Sequence, residues 1–204
     1  MPSFTRSIIN VCIVTFIAQL VIGDLLLDWF ALWPADWARH TLLPLSTLWQ
    51  VVTYSFLHGS LMHLGFNMFA LWMFGTAVEH AWGPRGMAAT YFTSVVTGAF
   101  AQLVVGGWFG GGGAPVIGAS AGVFGVLLVY ALLFPRRRIV LLIPPIPMPA
   151  RVFVGLYAGL ELMLGVFGNH RGGGVAHFAH LGGLLGGLLV YWWFGRRGPR
   201  VTWR

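Results

Sequence analysis

The feature that most constrains this chain is a succession of apolar runs, each close to the length of a membrane crossing. They lie at about 8–27, 61–78, 87–105, 116–134, 152–167 and 175–194, and a helix needs about 20 mostly apolar residues to cross the hydrocarbon core of a bilayer. Of the 204 residues 57% are hydrophobic and only 8% charged, with a mean hydropathy of +0.79. That balance excludes a water-soluble domain of this length. In lipid every backbone polar group has to be bonded within the protein, so runs of this kind predict helices. The expected fold is an all-α integral membrane bundle of six transmembrane helices, one polytopic domain over residues 1–204.

The connections fit that expectation. The first run follows Arg6 and resembles the basic and apolar regions of a secretory signal, but no small-x-small cleavage site follows it and five further runs do. It reads as a retained first span, ended by Asp24 and Asp28. Trp29, Trp33, Trp37 and Trp49, interrupted by Pro34 and Pro44, have the composition of a first outer loop lying in the membrane interface. The Gly106 to Gly113 stretch lacks both the spacing and the Lys of a phosphate loop and reads as a flexible connection. Residues 135–149, Arg-rich and then Pro-rich (Pro144, Pro145, Pro147, Pro149), exclude a continuous helix. The single Cys12 excludes an internal disulfide and reads as a small buried hydrophobe.

The net charge of +7 does not call for nucleic acid, because all the basic residues are Arg and most sit between the apolar runs. With six spans, one side receives Arg6, Arg85, Arg136, Arg137, Arg138, Arg151, Arg196, Arg197, Arg200 and Arg204, and the other only Arg39 and Arg171. The positive-inside rule then places both termini in the cytoplasm, and the expected location is a bacterial inner membrane. Runs two, four and six all travel from outside to inside. His63 and Asn67, Ser120, and His180 fall within the first turn or two of those runs, so three helices deliver polar side chains to one depth below the outer surface.

These are the parts of a hydrolytic site. A hydroxyl becomes a useful nucleophile when a base takes its proton, and imidazole suits that task near neutrality. Ser120, among the small residues of Gly118-Ala119-Ser120-Ala121-Gly122, is the candidate nucleophile, with His180 as base. His63 and Asn67, four residues apart on one helix face, are candidate donors to the oxyanion of acyl transfer, together with the serine's own backbone N–H. Glu79 falls at the cytoplasmic end of its helix and no acid is evident at the depth of the base, so a Ser-His dyad is the economical assignment. His177 lies three residues before His180, about 60° away in direction, so periodicity does not separate them. His180 is preferred because it shares a face with Gly183 and Gly187, which would let its helix approach the serine's near Ala121 and Gly125.

Taken in order, His58-Gly59-Ser60-Leu61-Met62-His63 with Asn67, Gly118-Ala119-Ser120-Ala121-Gly122, and Ala179-His180-Leu181-Gly182-Gly183 resemble the rhomboid intramembrane serine proteases. Ala77-Val78-Glu79 and Phe134-Pro135-Arg136-Arg137-Arg138 extend the resemblance over nearly the whole chain. It implies Ser120 as nucleophile, His180 as base, His63 and Asn67 at the oxyanion, and an aromatic, Phe124, packed on the base. A departure is Trp49-Gln50, where many relatives carry Trp-Arg. The resemblance also implies the partners, transmembrane protein substrates in the lipid bilayer, cut near the outer face at small residues followed by helix-breaking ones. Outer loops, Gly168 to Gly174 among them, would wall a wet cavity.

No cofactor or metal is expected. A bis-histidine haem protein is disfavoured because Ser120 and Asn67 are not haem ligands, and a catalytically dead relative because Ser120 and His180 are both present. His58 reads as a hydrogen-bonding residue of the cavity wall, while His80 and His170 belong to connections. Glu161, an acid inside the fifth run, is a functional candidate by its setting, and its expected role is a structural hydrogen bond to a neighbouring helix.

Overall fold

The computed structural model describes residues 1–34, 48–106, 114–140, 145–168 and 176–195. Helix α1 (Ser3–Ile22) ends where Gly23 adopts φ 71° and ψ −142°, and the short α2 (Asp24–Phe30) restarts with Asp24 in its first turn, where the helix dipole favours an acid. A one-turn helix α3 (Gln50–Thr53) runs into a 3-10 turn at Tyr54–Phe56. Helix α4 (Leu61–Ala70) begins with Ser60 as N-cap, its hydroxyl accepting from the His63 N–H, and passes through a π-helical turn (Leu71–Gly75) into α5 (Thr76–Ala101). After a second π turn come α6 (Ser120–Leu133), α7 (Ala150–Phe167) and α8 (His177–Gly195).

Among the described residues, four helices are long and apolar enough to cross a membrane: Ser3–Ile22, Leu61–Val105, Ala150–Phe167 and His177–Gly195. The 45-residue stretch Leu61–Val105 would run to roughly 68 Å if straight, over twice a bilayer core. Its backbone leaves the helix at Gly83 (φ 74°, ψ 176°), a conformation that a side chain would strain, and Pro84 opens the next segment, where its missing N–H is not needed. Helix α6 is apolar but has only 14 residues. Large apolar side chains face outward on α1 and α7, Leu20 73% exposed, Val21 82% and Phe167 84%. An apolar outer surface of this kind suits lipid.

The core is the packing of α5, α6 and α8 against one another, and glycine spacing makes it possible. A methyl group on Gly182 would sit 2.5 Å from the Thr97 carbonyl oxygen, and one on Gly187 would sit 2.5 Å from that of Gly125. Gly182 and Gly186 therefore form the face toward α5, and Gly183 and Gly187 the face toward Ala121 and Gly125 of α6, as the small-residue spacing anticipates. The Thr97 hydroxyl ties α5 to α8 by donating to the Gly182 carbonyl at 2.7 Å.

Glu79 has a structural role. Its buried carboxylate accepts from the Phe4 N–H (2.9 Å), the Thr5 N–H (2.8 Å) and the Thr5 hydroxyl (2.7 Å), capping the start of α1, which has no side-chain cap of its own. Cys12 is fully buried, as expected of a small hydrophobe. The linker after α6 is a small antiparallel ribbon, β1 (Arg138–Val140) on β2 (Pro147–Pro149), in register Ile139 to Met148. It is a β addition to an otherwise helical chain, with residues 141–144 outside the described part. The interfacial loop expected after the first span falls largely on residues 35–47, and the glycine connection largely on 107–113, also outside it. The described ends of the first loop show Trp29 and Trp49 stacked at 6.3 Å, with Trp49 Nε1 (2.8 Å) and Gln50 Nε2 (3.5 Å) both donating to the Trp29 carbonyl.

Candidate active site

Ser120 is the first residue of α6, so its neighbours contribute helix N-terminal N–H groups and the positive end of the helix dipole around the hydroxyl. The segment that delivers it is pinned from three directions. Val116 exchanges two backbone hydrogen bonds with Leu32 (2.8 and 3.1 Å), Gly118 N–H donates to the Tyr54 carbonyl (2.9 Å), and Ala119 N–H points at His58 Nε2 (3.4 Å). His58 is itself fixed. Its ring Nδ1 faces the Phe56 carbonyl at 3.3 Å, and its backbone is clasped by the Gln19 amide, which accepts from His58 N–H (3.0 Å) and donates to His58 O (3.3 Å). Burial, reinforced by the neighbouring His63, holds the His58 imidazole down to about 4, so it stays neutral and keeps Nε2 as an acceptor for Ala119.

His180 Nε2 lies 2.7 Å from Ser120 Oγ, a hydrogen bond across 60 residues of sequence. Of the two adjacent histidines, the one on the glycine face is the one that reaches the serine. The His180 ring is stacked on Phe124 (centroids 4.3 Å apart, planes 9°), which stacks in turn on Tyr157 of α7 (5.2 Å, 10°), so the imidazole has one face fixed by a column of rings. His63 closes the site on the other side. Gly118 has φ 122°, and a methyl group there would sit 2.7 Å from His63 Nε2, so the absence of a side chain lets the His63 ring lie against the serine segment. Asn67, buried one turn below, donates an amide N–H to the His63 carbonyl at 3.0 Å, which leaves its second N–H for another acceptor.

The expectation that no acid lies at the depth of the base is corrected by Glu161. This residue of α7 is 4% exposed, and its Oε2 is 2.6 Å from His177 Nδ1 and 3.1 Å from His180 Nδ1. The first contact is a hydrogen bond. The second is within bonding distance but off-angle, so the buried His180 Nδ1 has no directed partner among the described residues. The topology expected from the arginine asymmetry sends α7 outward, and Glu161 lies six residues before the helix end at Phe167, so its depth is legible from that end. Glu161, His177 and His180 are also a group of metal-capable side chains among the described residues, their ligand atoms within 4.8 Å of one another. His170 and the loop 168–174 expected to wall a cavity fall, beyond Gly168, outside the described residues.

The Rhomboid domain model matches residues 45–197. The chain belongs to the rhomboid family. It is 32% identical over 160 residues to Rhomboid protein 1, mitochondrial, of Saccharomyces cerevisiae, covering 72% of this chain and 42% of that protein. It is 29% identical to the rhomboid protease GlpG of Serratia proteamaculans over 193 residues (93% of this chain, 62% of the relative) and to that of Yersinia pestis over 200 residues (97% and 65%). The chain thus spans between 42% and 65% of the length of these rhomboid relatives. Ser120, His180 and Asn67 all lie inside the matched domain, as does Glu161.

Proposed function

We propose that this rhomboid protein is an intramembrane serine endopeptidase that hydrolyses peptide bonds in or next to transmembrane segments of other membrane proteins. The observation that carries the reading is the 2.7 Å contact between Ser120 Oγ and His180 Nε2, made between two apolar helices. In the proposed reaction Ser120 Oγ attacks the carbonyl carbon of the scissile bond while its proton passes to His180 Nε2, and the carbonyl electron pair moves onto oxygen. His63, the free Asn67 N–H and the Ser120 backbone N–H bind that oxyanion. Collapse expels the amine, which takes the proton from Nε2, and leaves an acyl-serine. Water, deprotonated by the same imidazole, then hydrolyses the ester. A peptide bond within a substrate helix is hydrogen-bonded and shielded, so the substrate has to unwind near the site before attack.

The topology that goes with this function has six spans, with Leu61–Val105 divided at Gly83 and α6 completed by residues 116–119. Both termini are cytoplasmic on the arginine asymmetry, in a bacterial inner membrane, and the site opens to water near the outer face. The test is a fluorophosphonate probe on detergent-purified protein, with cleavage of a single-span substrate followed in parallel. Ser120 should be labelled, and Ser120→Ala and His180→Ala should abolish both labelling and cleavage. Full cleavage by folded Ser120→Ala protein would overturn the proposal.

A further inference from the structure

The buried carboxylate of Glu161 stands behind the proposed base without a part in the two-residue assignment. We propose that Glu161 is a positioning residue for His180, making a Ser120–His180–Glu161 relay in which His177 anchors the carboxylate. The inference rests on the protease reading given above. It starts from the placement of one oxygen, Oε2, against Nδ1 of two imidazoles at 2.6 and 3.1 Å. A carboxylate oxygen accepts two hydrogen bonds. The His177 bond holds the group in place, and the second lone pair is offered to His180 Nδ1, a buried nitrogen with no other partner among the described residues.

The chemistry follows from which nitrogen carries the proton. A neutral imidazole has one N–H, and only the tautomer protonated at Nδ1 leaves Nε2 bare to accept the Ser120 hydroxyl proton. An acceptor at 3.1 Å from Nδ1 selects that tautomer. When Nε2 takes the serine proton the ring becomes a cation, and the adjacent carboxylate stabilises it without itself becoming protonated. Catalytic hydrogen bonds commonly align only in the complex with substrate, so an off-angle contact at 3.1 Å is compatible with this role. Phe124 fixes the plane of the ring from one side, and Glu161 fixes which edge faces the serine.

The purely structural alternative, in which Glu161 only ties α7 to α8, makes the opposite prediction for one substitution. Glu161→Gln keeps the length but removes the charge: its amide either presents an N–H to His180 Nδ1, which moves the ring proton to Nε2, or accepts from Nδ1 without stabilising the cation formed when Nε2 takes the serine proton. The relay therefore predicts that folded Glu161→Gln protein loses about 10²- to 10⁴-fold in kcat with KM and thermal unfolding temperature unchanged. A kcat within about threefold of the unsubstituted protein overturns the inference. Should the variant fail to fold, the unsubstituted protein decides: with ¹⁵N-histidine labelling in detergent micelles, and the His180 signals identified by their loss in His180→Ala, an Nδ1–H tautomer is expected and an Nε2–H tautomer overturns the relay. Ser120→Ala and His180→Ala run alongside separate the two levels. If they remain active the protease reading fails, whereas if they are dead and Glu161→Gln is active only the relay fails.

Discussion

The approach of α8 to α6 brings the proposed base to the proposed nucleophile, and Gly187→Ala tests it two turns away from their contact. A methyl group at this position would lie 2.5 Å from the Gly125 carbonyl oxygen, 2.8 Å from Gly125 Cα and 2.9 Å from Gly125 C. All three are backbone atoms, so no side chain can swing aside. Carbon atoms pack at about 3.5 Å or more, so the helices have to separate by roughly 0.7 Å. Overpacking of this kind costs about 1–3 kcal/mol. Gly187 and His180 are on one rigid helix, so much of the separation reaches the 2.7 Å Ser120–His180 contact, stretching it toward about 3.4 Å and weakening it. A misplacement near 1 Å can cost about 10²-fold in rate. The assay is the rate of fluorophosphonate labelling in detergent, with thermal unfolding on the same samples. Gly159→Ala on α7 is the control, because no atom lies within 4 Å of its added methyl. Labelling of Gly187→Ala at the unsubstituted rate, with unchanged stability, would refute the argument that glycine contact sets the distance between base and nucleophile.

Two further outcomes are expected. Glu79→Ala strands the Phe4 and Thr5 N–H groups that the carboxylate now satisfies, so it should destabilise by on the order of 3 kcal/mol, seen as a lower unfolding temperature; labelling below that temperature should persist, and its loss in folded protein would give Glu79 a role at the site. His63→Ala and Asn67→Ala should each lower peptide turnover by up to about 10²- to 10³-fold while Ser120 still reacts with the probe, because they remove an oxyanion donor and not the base; abolished labelling in folded Asn67→Ala protein would contradict that role.

The sequence carried the coarse architecture because lipid leaves a chain few choices. Once the apolar runs are long enough to cross, helices are the only local structure that satisfies their backbones, and the glycines at 182, 183, 186 and 187 indicate which faces touch. What it did not carry are features set by single dihedrals or distant partners. The first helix covers Ser3–Ile22 where the hydropathy pattern centres a span on 8–27. Its end is set by the positive φ of Gly23, and its start is capped by Glu79, more than 70 residues away. A window of hydropathy sees neither. The β1–β2 ribbon is equally hidden, since a Pro-rich stretch announces only that a helix is excluded.

At the site the same contrast holds between depth and direction. Depth along each run was readable, and it placed Ser120, His63, Asn67 and His180 at one level. The choice of His180 over His177 required a direction, which the neighbouring Gly183 and Gly187 supplied, and His180 is the histidine within 2.7 Å of Ser120. The partner of Glu161 is legible only when depths on two different helices are compared. Glu161, six residues before Phe167, lies about 9 Å in from the end of α7, and His180, three residues after His177, about 5 Å in from the start of α8, a difference a glutamate side chain spans. An acid inside an apolar helix has to find a partner at its own level or be expelled to an interface. Among the described residues the imidazoles of His177 and His180 meet that requirement for Glu161. The contacts that bury the Glu161 carboxylate are therefore the same ones that, in the proposed relay, would orient the imidazole of His180.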